Sequence, residues 1–363
     1  MKPAHERAGR RSGLSRRARW WVLAGVAAVS LGAVGVYGVQ ALEDHQERTT
    51  GTSAAELALS LPEGPHVTFR NTASGEGYGM VASVALADPG GARQVSGQAC
   101  DRVDVAGEYL SCLRTLRGVP TTFETQVYDS GQELGGSPVA TWPLAGIPSR
   151  TRVSDDGLVA TTAFVTGHSY AADSFSTETT VKGVDGLDGG PDGRDYGNLQ
   201  DFGITVDGEP LTTIDRNVWG VTFAGGDRFF ATVASGGTTW LMEGDLEART
   251  MASVATDAEC PSVSPDGNRV AFKVRRDSGG DLVGGSGVHW DVAVLDLASG
   301  ERTVIELERG IDDQLEWLDE DTLLYGLPRE DAGWDADVYS LEVEAGAEPE
   351  LFIEHAWSPS VVR

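Results

Sequence analysis

Few stretches of this chain carry residue types that do chemistry, and each raises a different reaction. Gly167-His168-Ser169-Tyr170-Ala171 spaces a serine as in the G-x-S-x-G nucleophile elbow, with Ala in the last place. Such a serine needs a following helix and a positioned His and acid before it is nucleophilic. No region of α/β-hydrolase size accompanies it, so a loop between two strands is expected. Residues 185–195 would offer carboxylates to Ca²⁺, yet their spacing suits neither an EF-hand nor a nine-residue repeat. A flexible acidic loop is expected there, and no cofactor beyond that Ca²⁺ is implied. The six His are scattered, with no His/Cys cluster at zinc spacing.

Cysteine adds one cross-link. With Asp104 opposite Glu108 across a Val-Ala-Gly turn, Cys100 and Cys112 would face each other on two strands. Outside the cytoplasm a disulfide between them persists, the alternative being two buried thiols. Cys260, beside Pro261, reads as a small buried residue rather than a nucleophile.

These groups must be held by short strands. The chain has 363 residues with 47 Gly and 15 Pro, a composition that turns often. The sequence around Ser264-Pro265-Asp266-Gly267 shows how: a tight turn between two runs of alternating apolar and polar residues, in which Asp bonds local backbone and Gly supplies positive φ. A sialidase Asp box needs one more residue between Asp and Gly. Taking Val263, the last inward apolar residue before the turn, as a mark, equivalent units recur at Val105, Val153, Phe223, Trp317 and Val361. The marks in chain order are 48, 70, 40, 54 and 44 residues apart. Periods of about 40–50 residues belong to propeller blades of four strands, which bury their faces only by stacking on neighbours. The 70-residue step contains residues 183–198, an insert taken to explain the excess. The blade begun at Val361 has no further strands, whereas residues 66–96 hold three spare strand-like runs. The expected fold is therefore all-β, a six-bladed β-propeller closed by its C-terminal strand, which removes exposed sheet edges.

These units resemble the WD40-like repeats of six-bladed propellers of the TolB type, whose core is strand, Ser-Pro-Asp-Gly, strand. Residues 264–267 match that tetrad in full and Ser154-Asp155-Asp156-Gly157 all but the Pro, while the Val105, Phe223 and Trp317 units keep only the pattern. The resemblance covers residues 66–363 and implies a propeller in a membrane-anchored bacterial protein that lacks the N-terminal α/β domain of TolB.

Charge sets location and partners. Seven of the 28 Lys and Arg fall in residues 1–19, so the body is more acidic than the net −27 of the whole. Such a body repels phosphate backbones, which excludes nucleic acid as a partner. Residues 20–42 carry no charge, and about 20 apolar residues cross a bilayer core. With the basic flank on the N-terminal side, a single transmembrane signal-anchor is expected, 1–19 being a cytoplasmic tail and 43–65 an extracytoplasmic stalk. The alternative is secretion after signal cleavage near Val39-Gln40-Ala41.

The repeat also aligns the residues four before each mark: Asp101, Ser149, Trp219, Glu259, Asp313 and Trp357. Three acids and two Trp would ring one mouth of the channel, with loops 166–175, 275–289 and 328–335 on the same face, where binding concentrates. Asp101, Trp219, Glu259, Asp313 and Trp357 are thus the candidate ligand- or partner-binding residues, suited to an envelope protein, a cationic ligand or a sugar. The alternative is solvated acids and Trp packed between blades. No catalytic residue is implied, and a binding or scaffolding module of the cell envelope is expected. The enzyme alternative is an extracytoplasmic hydrolase or lactonase working in the channel.

Overall fold

The structure, a computed structural model, describes residues 56–57, 61–62, 64–131, 136–165, 176–184, 194–276, 289–311, 313–330, 332 and 334–363, with single helical positions between 17 and 36. Among the described residues no helix is long and apolar enough to cross a membrane, and most of the expected span at 20–42 lies outside them.

Among the described residues six sheets form, antiparallel except where the chain's short first strand and a later hairpin add parallel edges. Ahead of the first mark run β1 (Glu56–Leu57), β2 (His66–Asn71), β3 (Met80–Ala85) and β4 (Gln94–Ala99). Blade two is β5 (Arg102–Ala106), β6 (Tyr109–Leu116), β7 (Thr122–Asp129) and β8 (Ala140–Leu144). Blade three is β9 (Ile147–Val153), β10 (Leu158–Val165), β11 (Ser176–Gly183) and β12 (Asp195–Asn198). A hairpin, β13 (Gly203–Val206) and β14 (Glu209–Pro210), precedes blade four, which is β15 (Asn217–Phe223), β16 (Arg228–Ser235), β17 (Thr238–Asp245) and β18 (Thr250–Thr256). Blade five is β19 (Glu259–Val263), β20 (Arg269–Arg275), β21 (Trp290–Asp296) and β22 (Arg302–Ile305). Blade six is β23 (Glu316–Trp317), β24 (Thr322–Pro328), β25 (Ala336–Glu342) and β26 (Glu350–Ile353), followed by β27 (Ala356–Val362). β27 pairs with β2, His66 opposite Val362, so the C-terminal strand is the innermost strand of blade one. Every mark falls at or next to the end of an innermost strand, as the turn chemistry requires.

The core is divided. The described apolar residues form six clusters, one at each junction between blades. Val127, Trp142 and Val159 join blades two and three, Phe230, Phe272 and Ala293 join four and five, and Trp317, Tyr325 and Val292 join five and six. Each blade therefore buries its faces only against two neighbours.

Two expectations are corrected. The excess in the long step is not accounted for by residues 183–198, since 195–198 are the regular fourth strand β12. The further addition is the β13–β14 hairpin, which extends blade four beyond its usual edge, β13 running parallel to β18. Residues 185–193 lie outside the described residues, as does the Gly167–Ala171 motif. The second correction concerns register: Asp104 pairs with Ser111 and Val103 with Cys112, so Cys100 and Cys112 are not directly opposed. They are nonetheless bonded, Cα atoms 5.3 Å apart, because Cys100 sits in the crossover from blade one and reaches across the junction to β6. Cys260 is free and buried.

Bulges recur in the innermost strands. Register shifts fall within the β9, β15, β19 and β27 pairings, and Gly220, Cys260 and Ser358, each three before a mark, have φ of 66°, 52° and 56°. At Gly220 a side chain is also barred by space, since a Cβ there would lie 2.8 Å from Cys260 Cα in the next blade. A bulge re-aims the side chains before it, which decides where the candidate site residues go.

Candidate functional site

One residue before each mark, the six innermost strands place Asp104, Arg152, Thr222, Ser262, Glu316 and Ser360 around the axis. Four of these side chains accept the mark N–H of the following blade: Ser360 Oγ from Val105 (2.9 Å), Asp104 Oδ2 from Val153 (2.7 Å), Thr222 Oγ1 from Val263 (3.2 Å) and Glu316 Oε1 from Val361 (3.2 Å). Arg152 cannot accept, and it does something else. From blade three it reaches the opposite blade, its Nη1 lying 2.9 Å from Asp104 Oδ1 and 3.0 Å from Glu316 Oε2. At this level the axis is closed by side chains. One guanidinium serves two buried carboxylates, so burial pushes the pKa of Asp104 and of Glu316 up despite the pairing, and both acids push that of Arg152 up.

Towards the face that holds the starts of the innermost strands, a cavity of about 340 Å³ opens between blades one, two and six. β2 contributes Arg70, the β4–β5 crossover Asp101 with Arg102 beside it on β5, the start of β9 Ile147 and Pro148, and the β24–β25 loop Trp334 and Asp335. β27 contributes Trp357, whose ring is held on two sides. The Arg102 guanidinium lies 5.3 Å from its centroid, and on the other side a Cβ at Gly326 would meet Trp357 Cε3 at 2.5 Å and Asp313 Oδ2 at 2.7 Å. Arg102 is fixed in turn by Nε donating to Ser149 O at 2.7 Å. Asp335 is tied by Thr72 Oγ1 at 2.7 Å and by His355 Nδ1 at 2.7 Å. Arg70 lies over the Tyr78 ring (5.1 Å), whose edge meets Trp334 at 5.7 Å. Ile147 is exposed at the cavity, Phe164 pairs with it across β9 and β10 and is exposed too, and Val119 is exposed in the β6–β7 connection that follows Thr115.

Of the residues singled out from sequence, the structure brings Asp101 and Trp357 together in this cavity. Asp313 is wholly buried behind Trp357, its Oδ2 accepting from Gly326 N at 3.1 Å. Trp219 is buried in β15, and Glu259 is half-buried opposite Lys273. An open ring of three acids and two Trp is therefore not formed, because the bulges turn these positions differently from blade to blade. Arg70 and Arg102 were missed, whereas Trp334 and Asp335 come from the loop 328–335 expected on this face, which does line the cavity. Arg102 directly follows Asp101 and so was within reach of the repeat argument, whereas Arg70 lies on β2, off the innermost strand. Of the expected binding loops, 166–175 and all but residues 275, 276 and 289 of 275–289 lie outside the described residues. Among the described residues no group of three or more His, Cys, Asp or Glu is placed to hold a metal ion.

No family model matches the chain, and no curated protein does. Among solved structures the chain is similar to TolB from Acinetobacter baumannii, at 14% identity and TM-score 0.54, over 82% of this chain and 66% of that one. It is also similar to a chain of the nidogen/laminin complex, at 10% identity and TM-score 0.50, over 83% of this chain and 99% of that one. The fold is the six-bladed propeller, as in TolB. Within the propeller, the comparison leaves the mouth to be read from its own residues, since fold alone does not assign a site.

Proposed function

We propose that this chain is a binding or scaffolding module of the bacterial cell envelope. Its N-terminal apolar run holds the propeller outside the cytoplasmic membrane, and a protein partner docks on the mouth between blades one, two and six. The observation that carries the reading is Trp357 with Trp334 in a cavity flanked by exposed Val119, Ile147 and Phe164. Trp and Arg in a concave site within an apolar surround are the side chains that dominate binding at protein interfaces. That a structural neighbour comes from the nidogen/laminin complex supports use of the fold for protein binding. The closure of the axis by Arg152 favours docking on the mouth over threading through the channel.

The test is capture of partners from envelope extract by the full-length chain. A specific protein lost with Trp357→Ala but kept with Ile214→Ser, an exposed residue ahead of blade four, supports the reading. Equal capture by wild type and Trp357→Ala removes the mouth as the docking site. Fractionation that leaves the propeller in the cytoplasm removes the envelope.

A further inference from the structure

Within the mouth, Arg70 is out of step with its surroundings. The chain carries net −27, and its guanidinium groups are mostly taken: Arg152 by Asp104 and Glu316, Arg276 by Asp291, Arg329 by Asp337, Arg269 by Asp321. Arg70 lines the cavity, stacks on Tyr78, and makes no hydrogen bond or ion pair among the described residues. The ring contact holds the guanidinium at the cavity while leaving its N–H groups unused, and a guanidinium with free N–H groups is suited to bidentate capture of a planar anion. The same cavity holds the reverse complement, since Asp101 Oδ2 is buried and without a partner among the described residues. A volume of about 340 Å³ is at the small end for a ligand pocket and suits one or two residues of a longer chain.

We infer that the mouth recognises a carboxylate-bearing peptide segment of the partner, chain-terminal or side-chain. Arg70 binds the carboxylate, Asp101 accepts a peptide N–H, and Trp357 and Trp334 form the apolar walls. The inference rests on the docking reading above and gives it a chemistry opposite in sign to the cationic ligand suggested by the sequence.

Decapeptide arrays of random sequence, made with free C-terminal acids or C-terminal amides and with or without internal Asp and Glu, test it on the full-length chain. Wild type binds best to members carrying a carboxylate. Binding falls about tenfold when that group becomes an amide, or when Arg70 becomes Gln, and Arg70→Lys keeps part of it. Amidation of the last residue against Glu→Gln within the peptide tells a terminal carboxylate from a side-chain one. Binders lost with Trp357→Ala but indifferent to Arg70→Gln overturn the carboxylate and leave the docking reading standing. Binders indifferent to both substitutions overturn the two together. An array in which no member prefers wild type to Arg70→Gln also overturns the carboxylate.

Discussion

Ser360 Oγ accepts the backbone N–H of Val105 at 2.9 Å, joining the innermost strand of blade one, which is the last strand of the chain, to that of blade two. The same strand is held on its other side by Glu316 Oε1, which accepts from Val361 N. Ring closure thus depends on side chains that face the axis as well as on the β2–β27 ladder. Removing residues 358–363 is expected to lower Tm by ~10 °C or more, because both bonds and the burial of Val361 are lost with the ladder. An unchanged melting curve would refute closure by this strand. Ser360→Ala alone leaves a buried N–H unpaired and costs about 1–2 kcal/mol, read by denaturant unfolding.

Arg152 is the only basic residue of the axial column. Arg152→Met strands two buried carboxylates and is expected to cost about 3–5 kcal/mol. Pairing it with Asp104→Asn and Glu316→Gln recovers most of that loss. A single substitution no worse than the triple would show that the axial contacts carry no stability.

Burial holds the pKa of Asp104 and Glu316 above the ordinary carboxylate range in the folded state. The folded chain then binds protons more tightly than the unfolded one. The contribution of these groups is full below the unfolded carboxylate pKa and is lost as pH rises through the raised values. Asp266 runs the other way, held at about 2 by Ser264 Oγ and Asn268 N, so that its contribution is lost only in strong acid. Melting curves of wild type and Glu316→Gln between pH 4 and 7 separate the two: wild type gains on the variant as pH falls. A constant difference refutes the assignment.

The Cys100–Cys112 bond spans 12 residues and holds the crossover that carries Asp101 and Arg102. Replacing both cysteines by Ala is expected to cost about 3 kcal/mol by chain entropy. It also loosens the mouth, so partner capture weakens at temperatures where the fold persists. Capture that follows global stability alone would separate the bond from the site.

Gly326 is where Trp357 packs against blade six. Gly326→Ala forces the indole to move, at an expected cost of about 1–3 kcal/mol. Intrinsic fluorescence that stays unshifted would show the ring to be unconstrained.

Much of the fold was legible because each blade repeats one physical problem, a strand, a tight turn and a strand, so that Val105, Val153, Phe223, Val263, Trp317 and Val361 announce themselves by periodicity. The axial residues one place earlier were legible in principle: Asp104, Arg152, Thr222, Ser262, Glu316 and Ser360 are all polar beside apolar marks. The mouth was not. Trp219 and Trp357 hold the same repeat position, yet one is buried and the other lines the cavity, because bulges at Gly220 and Ser358 are set in different neighbours. The register around Cys112 was misjudged since a two-residue turn at Gly107-Glu108 and a three-residue one look alike in a run of Val, Ala and Gly. Arg70 gave no signal, because a cation without a counter-charge can be recognised only once its neighbours are known.

The pairing of β2 with β27 has a consequence for how the molecule is made. His66 must wait for Val362 through the synthesis of every other blade. As the chain is made, β2, β3 and β4 form ahead of the other blades as an incomplete sheet with one unsatisfied edge, so assembly is gated by the arrival of β27 and not by the rate at which the early blades collapse. A stalled or clipped nascent chain would present that edge to whatever lies nearby, which makes completion of the ring a point of quality control in biogenesis.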